Sequence, residues 1–195
     1  IYHEHLSYLA IRPLQRLFSE YGLEIFDVEI VPVQGQSLRA FVGYKGQHRI
    51  KPIVGRLVQK ELHLGLNRLS SYITLAQRIN NSRALLFKLL NNLKKKGKTI
   101  AGYGAPAKGN TLLNYCRIDA NLLDYCLEDL PSKYNLFTPG THIPVVNRNY
   151  SAKHIPDYYL LLAWNYREPI LKKEKQYIKD GGHFIIPVGD RIKII

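Results

Sequence analysis

Beyond Gly97 the chain is punctuated by short, continuously apolar runs: TIAGYG (99–104), LLDYCLED (122–129), YYLLLAW (158–164) and HFIIPV (183–188). Such runs suit strands covered on both faces, as in a parallel sheet crossed by helices; a half-solvated strand would alternate instead. The intervening segments read as a helix ending near Arg117, a Pro/Gly-containing loop, and a helix across 167–180. This pattern commits residues 66–195 to an α/β fold, a Rossmann-like, mostly parallel sheet with flanking helices. Pro187 in the last run places that strand at an edge, where a missing amide donor does least harm.

Upstream the periodicity is different. In RPLQRLFSEYG (12–22), Leu14, Leu17, Phe18 and Tyr21 recur at i, i+3, i+4 and i+7, with Pro13 near the start and Gly22 as the stop. That spacing predicts a short amphipathic helix. Then Phe26, Val28 and Ile30 alternate, followed by Leu38, Ala40, Val42 and Tyr44, around the turn-prone residues 33–36. The two runs predict an antiparallel β-hairpin. Residues 45–65 hold four glycines or prolines and no clear period, so a linker is expected there. From Leu66 to Leu93 apolar residues return at helical intervals (Leu66, Leu69, Ile73, Ala76, Ile79, Leu86, Leu90, Leu93) ahead of Lys94-Lys95-Lys96-Gly97. One long helix is predicted, with Asn80-Asn81-Ser82 as the place where it would break. The expected division is therefore 1–46, a linker at 47–65, and 66–195 as the Rossmann-like domain with its long leading helix.

A formal charge of +13 favours an anionic partner, whether nucleic acid, a phosphorylated metabolite or an acidic surface. Against nucleic acid, the lysines are not interleaved with aromatics along one segment, and no zinc-finger, RNP or helix-turn-helix spacing is found. No apolar run approaches the ~20 residues of a membrane span, and the start lacks the pattern of a secretory signal. A cytoplasmic location with no membrane partner is expected. Cys116 and Cys126 lie in apolar surroundings and are expected to be buried, reduced thiols. Two cysteines are too few for a four-ligand zinc site without histidines. The chain contains no methionine, which suggests a piece of something longer.

The sharpest local signal is Gly102-Tyr103-Gly104-Ala105-Pro106-Ala107-Lys108-Gly109-Asn110-Thr111, directly after a predicted strand and opening a predicted helix. Glycines there permit a tight turn and close backbone approach, and amides at a helix start attract phosphate. Lys108 adds a cation. The spacing is neither the dinucleotide fingerprint nor a P-loop, in which the lysine follows the glycine. Glu128, ending the second run, is placed to take ribose hydroxyls. Asn165 should stand at the same carboxyl edge of the sheet, and His142 of TPGTHIP is either near it or an ordinary loop histidine. On chemistry alone, nucleotide or phosphate binding competes with a merely tight strand-to-helix connection.

The chain opens with Ile1-Tyr2-His3-Glu4-His5-Leu6. A histidine can abstract a proton next to a carbonyl while a nearby phenol or carboxylate orients it. Metal binding is the rival, but the spacing is not H-E-x-x-H, and from spacing alone a plain surface loop fits best. Taken together, Y-H-E-H-L-S-Y (2–8), the loop G-Y-G-A-P-A-K-G-N-T-L-L-N (102–114), P-G-T-H-I-P (139–144) and D-Y-Y-L-L-L-A-W-N (157–165) resemble the C-terminal part of S-adenosylmethionine-dependent sugar C-methyltransferases.

The resemblance runs over nearly the whole chain in the same order. It implies that residues 1–46 are the tail of a central methyltransferase domain, and that the remainder helps hold a nucleotide-diphosphate sugar. Tyr2, Glu4 and His5 would line the sugar site, with His5 as the base beside a 4-keto group. Gly102, Gly104, Ala105, Pro106, Lys108, Gly109, Asn110, Glu128, His142 and Asn165 would bind substrate. S-adenosylmethionine would belong to the central domain and zinc to an N-terminal domain, neither within these residues, so this piece alone should not transfer methyl groups. Glu128-Asp129-Leu130-Pro131-Ser132-Lys133 departs from the Asp/Asn-Pro-x-Lys pattern of the family. The alternative is a non-catalytic, NAD-type nucleotide-binding or regulatory module.

Overall fold

The computed structural model describes residues 5–32, 36–188 and 191–195, and their contacts divide the chain into two compact units at Gln77/Arg78. The first unit holds helix α1 (Ile11–Ser19), strands β1 (Leu23–Val31) and β2 (Ser37–Tyr44), and helix α2 (Pro52–His63). The strands pair antiparallel as expected, but a bulge between Ile25 and Asp27 resets the alternation. Ile25 and Val28 are thereby buried, together with Ile11 and Val54, whereas Ile30, expected on the same side as Val28, is exposed.

Residues 47–65, expected to be a linker, carry α2. Its Pro52 starts the helix rather than breaking it, because proline's fixed φ and missing amide cost nothing at the first helical position. Ala10 gives α1 no side-chain cap. Glu61 of α2 supplies the acceptors instead, at 2.6 Å from the Ile11 amide and 3.1 Å from that of Arg12, which places a carboxylate at the positive end of the helix.

Helix α3 (Leu69–Lys95) runs without a break through Asn80-Asn81-Ser82. Leu86, Leu90 and Leu93 bury its last turns, while Leu69, Tyr72 and Ile73 stay exposed. It ends where predicted, with Gly97 at φ +73.

The second unit is built on a six-stranded sheet. Its members are β3 (Ile100–Tyr103), β4 (Cys126–Leu127), β5 (Val145–Val146), β6 (Tyr158–Leu161), β7 (His183–Ile186) and β8 (Lys193–Ile194), in the order β5-β4-β3-β6-β7-β8. All neighbours pair parallel except β7 and β8, which establishes the Rossmann-like α/β class. Pro187 lies just past β7, and β8 rather than β7 takes the sheet edge.

Alternate strand residues feed opposite faces. Ile100, Cys126, Leu160, Leu162 and Ile185 pack under α3 and α4 (Ala107–Cys116). Ala101, Tyr103, Leu127, Tyr159, Leu161 and Phe184 pack under α6 (Arg167–Lys173) and α7 (Lys175–Lys179). The helix expected across 167–180 is interrupted at Glu174, whose backbone leaves helical values. A short helix, α5 (Arg148–Lys153), and the two-residue β5 were not anticipated. Trp164, the single tryptophan of the chain, lies in a 3-10 turn after β6 and packs against the second face. Among the described residues, no helix is long and apolar enough to cross a membrane.

Candidate functional site

From β3 the chain winds outward through β4 and β5, then returns to place β6 on the other side of β3. The carboxyl ends of β3 and β6 therefore flank the topological switch point, where open α/β sheets keep their ligands. The glycine loop leaves β3 at this place.

Its three glycines answer three packing demands. A Cβ on Gly102, buried within β3, would meet Cys126 Sγ at 2.6 Å and Leu162 Cδ1 at 2.9 Å. Gly104 turns the chain at φ +83, and a side chain there would meet the Ala163 Cβ at 2.9 Å. Gly109 lets α4 approach the sheet so closely that a Cβ would lie 2.8 Å from that of Leu162.

Glu128, just past β4, holds the loop. One carboxylate oxygen accepts from the amides of Asp129 (2.9 Å) and Leu130 (3.2 Å). The other accepts from the Ala105 amide (3.0 Å) and Lys133 Nζ (3.1 Å), and Lys133 also donates to the Ala105 carbonyl at 3.0 Å. Burial alone would raise the pKa of Glu128, but the Ala105 and Asp129 amides, Lys133 and the Leu130 amide hold it below the usual carboxylate range. A carboxylate offers about four acceptor positions, and four donors fill them. The residues present therefore do not fit the ribose hydroxyls of S-adenosylmethionine or a dinucleotide at Glu128. Glu128 thus positions the loop while also lining the first cavity.

Two cavities open on either side of that loop. The first, about 290 Å³, is lined by Tyr103, Gly104, Glu128, Asp129, Ala163, Tyr166 and Lys173 among others. A charged network borders it. Tyr103 donates to Glu174 at 2.6 Å, while Arg148 donates to Glu174 at 2.8 Å and to the Tyr103 oxygen at 2.9 Å. Lys173 and Arg148 both reach Asp129, at 2.7 and 3.4 Å. The Lys173 hydrogen bond, working against burial, and the Arg148 charge hold Asp129 below the ordinary carboxylate range. Burial and the Glu174 carboxylate keep the Tyr103 phenol protonated, in keeping with its role as donor.

The second cavity, about 310 Å³, lies between α4 and residues 133–139, with Ala105, Pro106, Asn110, Lys133, Phe137 and Pro139 among its walls.

The residues singled out from sequence separate accordingly. Ala105, Pro106 and Asn110 line the second cavity, Gly104 and Glu128 the first. Lys108 is half-buried in the first turn of α4. Gly102 and Gly109 are buried packing positions that line neither cavity. His142, exposed at φ +53, and Asn165, exposed in the turn after β6, also line neither. His5 is exposed in the first unit, its ring stacked on Tyr8 at 5.6 Å; Tyr2 and Glu4 fall outside the described residues. Lys133, Phe137 and Lys173 were not foreseen, although the first two stand close to the P-G-T-H-I-P stretch that was.

Cys116 and Cys126 are buried free thiols, pushed by desolvation up to about 11 and about 12. Among the described residues, no three His, Cys, Asp or Glu side chains converge to hold a metal.

The chain is 36% identical over 191 residues to C-methyltransferase NovU of Streptomyces niveus, an alignment covering 97% of this chain and 46% of that protein. The chain thus spans less than half the length of this relative. Residues 32–189 match the C-methyltransferase C-terminal domain family, a stretch that takes in β2 through β7, the glycine loop and both cavities. With four-fifths of its length inside that match, the chain belongs to the C-methyltransferase C-terminal domain family.

Proposed function

We propose that this chain serves as the C-terminal part of a sugar C-methyltransferase. Residues 78–195 help hold a nucleotide-linked 4-keto deoxysugar, and the opening segment supplies the base for proton abstraction. The observation that carries this reading is the glycine loop at the switch point of the sheet, with Lys108 in the first turn of α4, in a chain of this family. Residues 1–46 belong in this reading to the end of a central methyltransferase domain.

His5 takes the proton from the carbon beside the keto group as a neutral imidazole, with Tyr2 and Glu4 orienting substrate or base. Charge then develops on the keto oxygen, where a nearby donor lowers the barrier. The resulting enolate is a far better nucleophile than a saturated ring carbon. S-adenosylmethionine supplies the electrophilic methyl group and is held by parts of the protein outside the residues described, as is zinc. His142 and Asn165 remain substrate-contact assignments of the same proposal.

The NAD-type module is the weaker reading, because Glu128, the residue it depends on, is saturated by internal donors. Calorimetric titration of a thymidine diphosphate-linked sugar into the chain tests the choice. Saturable binding is expected, weakened about tenfold in Lys108→Ala by loss of one charged contact. Equal, weak affinity for the sugar nucleotide and for tripolyphosphate would overturn the proposal, and specific binding of NAD would favour the module.

A further inference from the structure

The second cavity differs in kind from the first. Its walls include Pro106, Leu136, Phe137 and Pro139, and Lys133, the one cation among its described lining residues, is already engaged by Glu128 at 3.1 Å and the Ala105 carbonyl at 3.0 Å. The first cavity is bordered by Asp129, Lys173 and Arg148. A neutral, flat, largely apolar group suits the second better than a phosphate does.

Phe137 is 61% exposed and Leu136 55%, yet their backbone is fixed. Phe137 forms a bridge with Pro144, Val145 donates to the Leu136 carbonyl at 2.8 Å, and the Ile143 amide donates to Thr138 Oγ1 at 2.9 Å. An aromatic ring is thus held at the cavity mouth by a braced loop, at little conformational cost on binding.

Asn110, which lines the cavity, has hydrogen-bonding capacity to spare among the described residues. Asn114 Nδ2 is directed to the carbonyls of Asn110 (2.9 Å) and Pro139 (3.0 Å) and reaches Asn110 Oδ1 only at 3.4 Å. Asn110 Nδ2 donates to none of the described residues. A carboxamide that offers one donor and one acceptor side by side complements the edge of a nucleobase, which offers the reverse pair.

We propose that the cavity between α4 and residues 133–139 is a nucleobase pocket, in which the base stacks on Phe137 and its edge pairs with the Asn110 carboxamide. This rests on the nucleotide-sugar reading above. It adds where the base goes: on the α4 side of the glycine loop, away from the charged cavity bounded by Asp129 and Lys173. The same placement keeps the diphosphate beside Lys108, one helical turn or less from Asn110.

The test is calorimetric titration of uridine, thymidine, adenosine and guanosine 5′-diphosphates, with inorganic pyrophosphate as the base-free control, into the chain and its Phe137→Ala and Asn110→Ala variants. At least one nucleotide should bind about tenfold or more tighter than pyrophosphate, within the range that stacking of one base contributes. Phe137→Ala should erase that advantage and Asn110→Ala reduce it, each leaving pyrophosphate affinity unchanged. If the advantage survives in both variants, the pocket lies elsewhere and the nucleotide-sugar reading stands. If no nucleotide exceeds pyrophosphate in the unmodified chain, both fall. Since Phe137 is largely exposed, its loss leaves the fold intact, and circular dichroism of each variant verifies this.

Discussion

The two edges of the sheet in residues 78–195 use carboxylates in contrasting ways. At the amino edge, Asp157 accepts from Lys98 (2.9 Å), the Thr99 amide (2.8 Å) and the Thr99 hydroxyl (2.9 Å), while Asp124 accepts from Lys94 (2.8 Å) and the Ile100 amide (3.2 Å). These contacts draw the starts of β3, β4 and β6 together and sit at a half-exposed surface. At the carboxyl edge, Glu128 is nearly buried and its four donors come from a loop rather than from strand starts. That loop stands between the two cavities. The same residue chemistry closes one edge and props the other open, and the difference lies in what the carboxylate binds.

Breaking the strand that both edges share should have the largest effect. Gly102→Val forces a side chain against Cys126 and Leu162, and overpacking of a filled core costs about 3 kcal/mol. Thermal melting should fall by roughly 6–12 °C for a chain of this size, with both edges affected together.

Glu128→Gln sharpens the contrast, because it keeps the shape and removes the charge from the carboxyl edge alone. An amide nitrogen must then face a backbone N–H, and Lys133 loses its anionic partner while keeping the Ala105 carbonyl. Urea unfolding should register a loss of about 2 kcal/mol, and hydrogen exchange at the Ala105 amide should quicken while that at Thr99 does not.

The smallest effect belongs to Asp157→Asn at the amino edge, and pH identifies it. Lys98 first, then the Thr99 amide, hold the Asp157 carboxyl down to about 2, against about 3.9 in an unfolded chain. A depressed carboxylate pKa stabilises fully above the unfolded value and loses its contribution as pH falls through the folded one. The gap in urea midpoint between the parent chain and Asp157→Asn should therefore be constant above about pH 5, then narrow towards pH 2. A gap independent of pH would show that the charge is not what holds this edge.

Most strands were legible because burial on both faces writes itself as uninterrupted apolar sequence, as in Tyr159-Leu160-Leu161-Leu162. The glycine loop was legible because close packing admits no other residue at Gly102 and Gly109. Helix α2 was not, since Pro52 and Gly55 read as breakers although proline is welcome at a helix start. Nor was the bulge at Phe26, which shifts one side chain between faces without changing composition. The two-residue β5 is too short to carry a period. The saturation of Glu128 depends on Lys133 folding back in a 3-10 turn, and the cavity walls at Leu136 and Phe137 depend on a bridge to Pro144. Both are pairings that spacing does not encode.

Trp164 turns the carboxyl edge into its own spectroscopic reporter. As the chain has one indole, and its neighbours Ala163 and Tyr166 face the first cavity, emission excited at wavelengths that tyrosine does not absorb originates there alone. Loosening beside β6 would redden that signal.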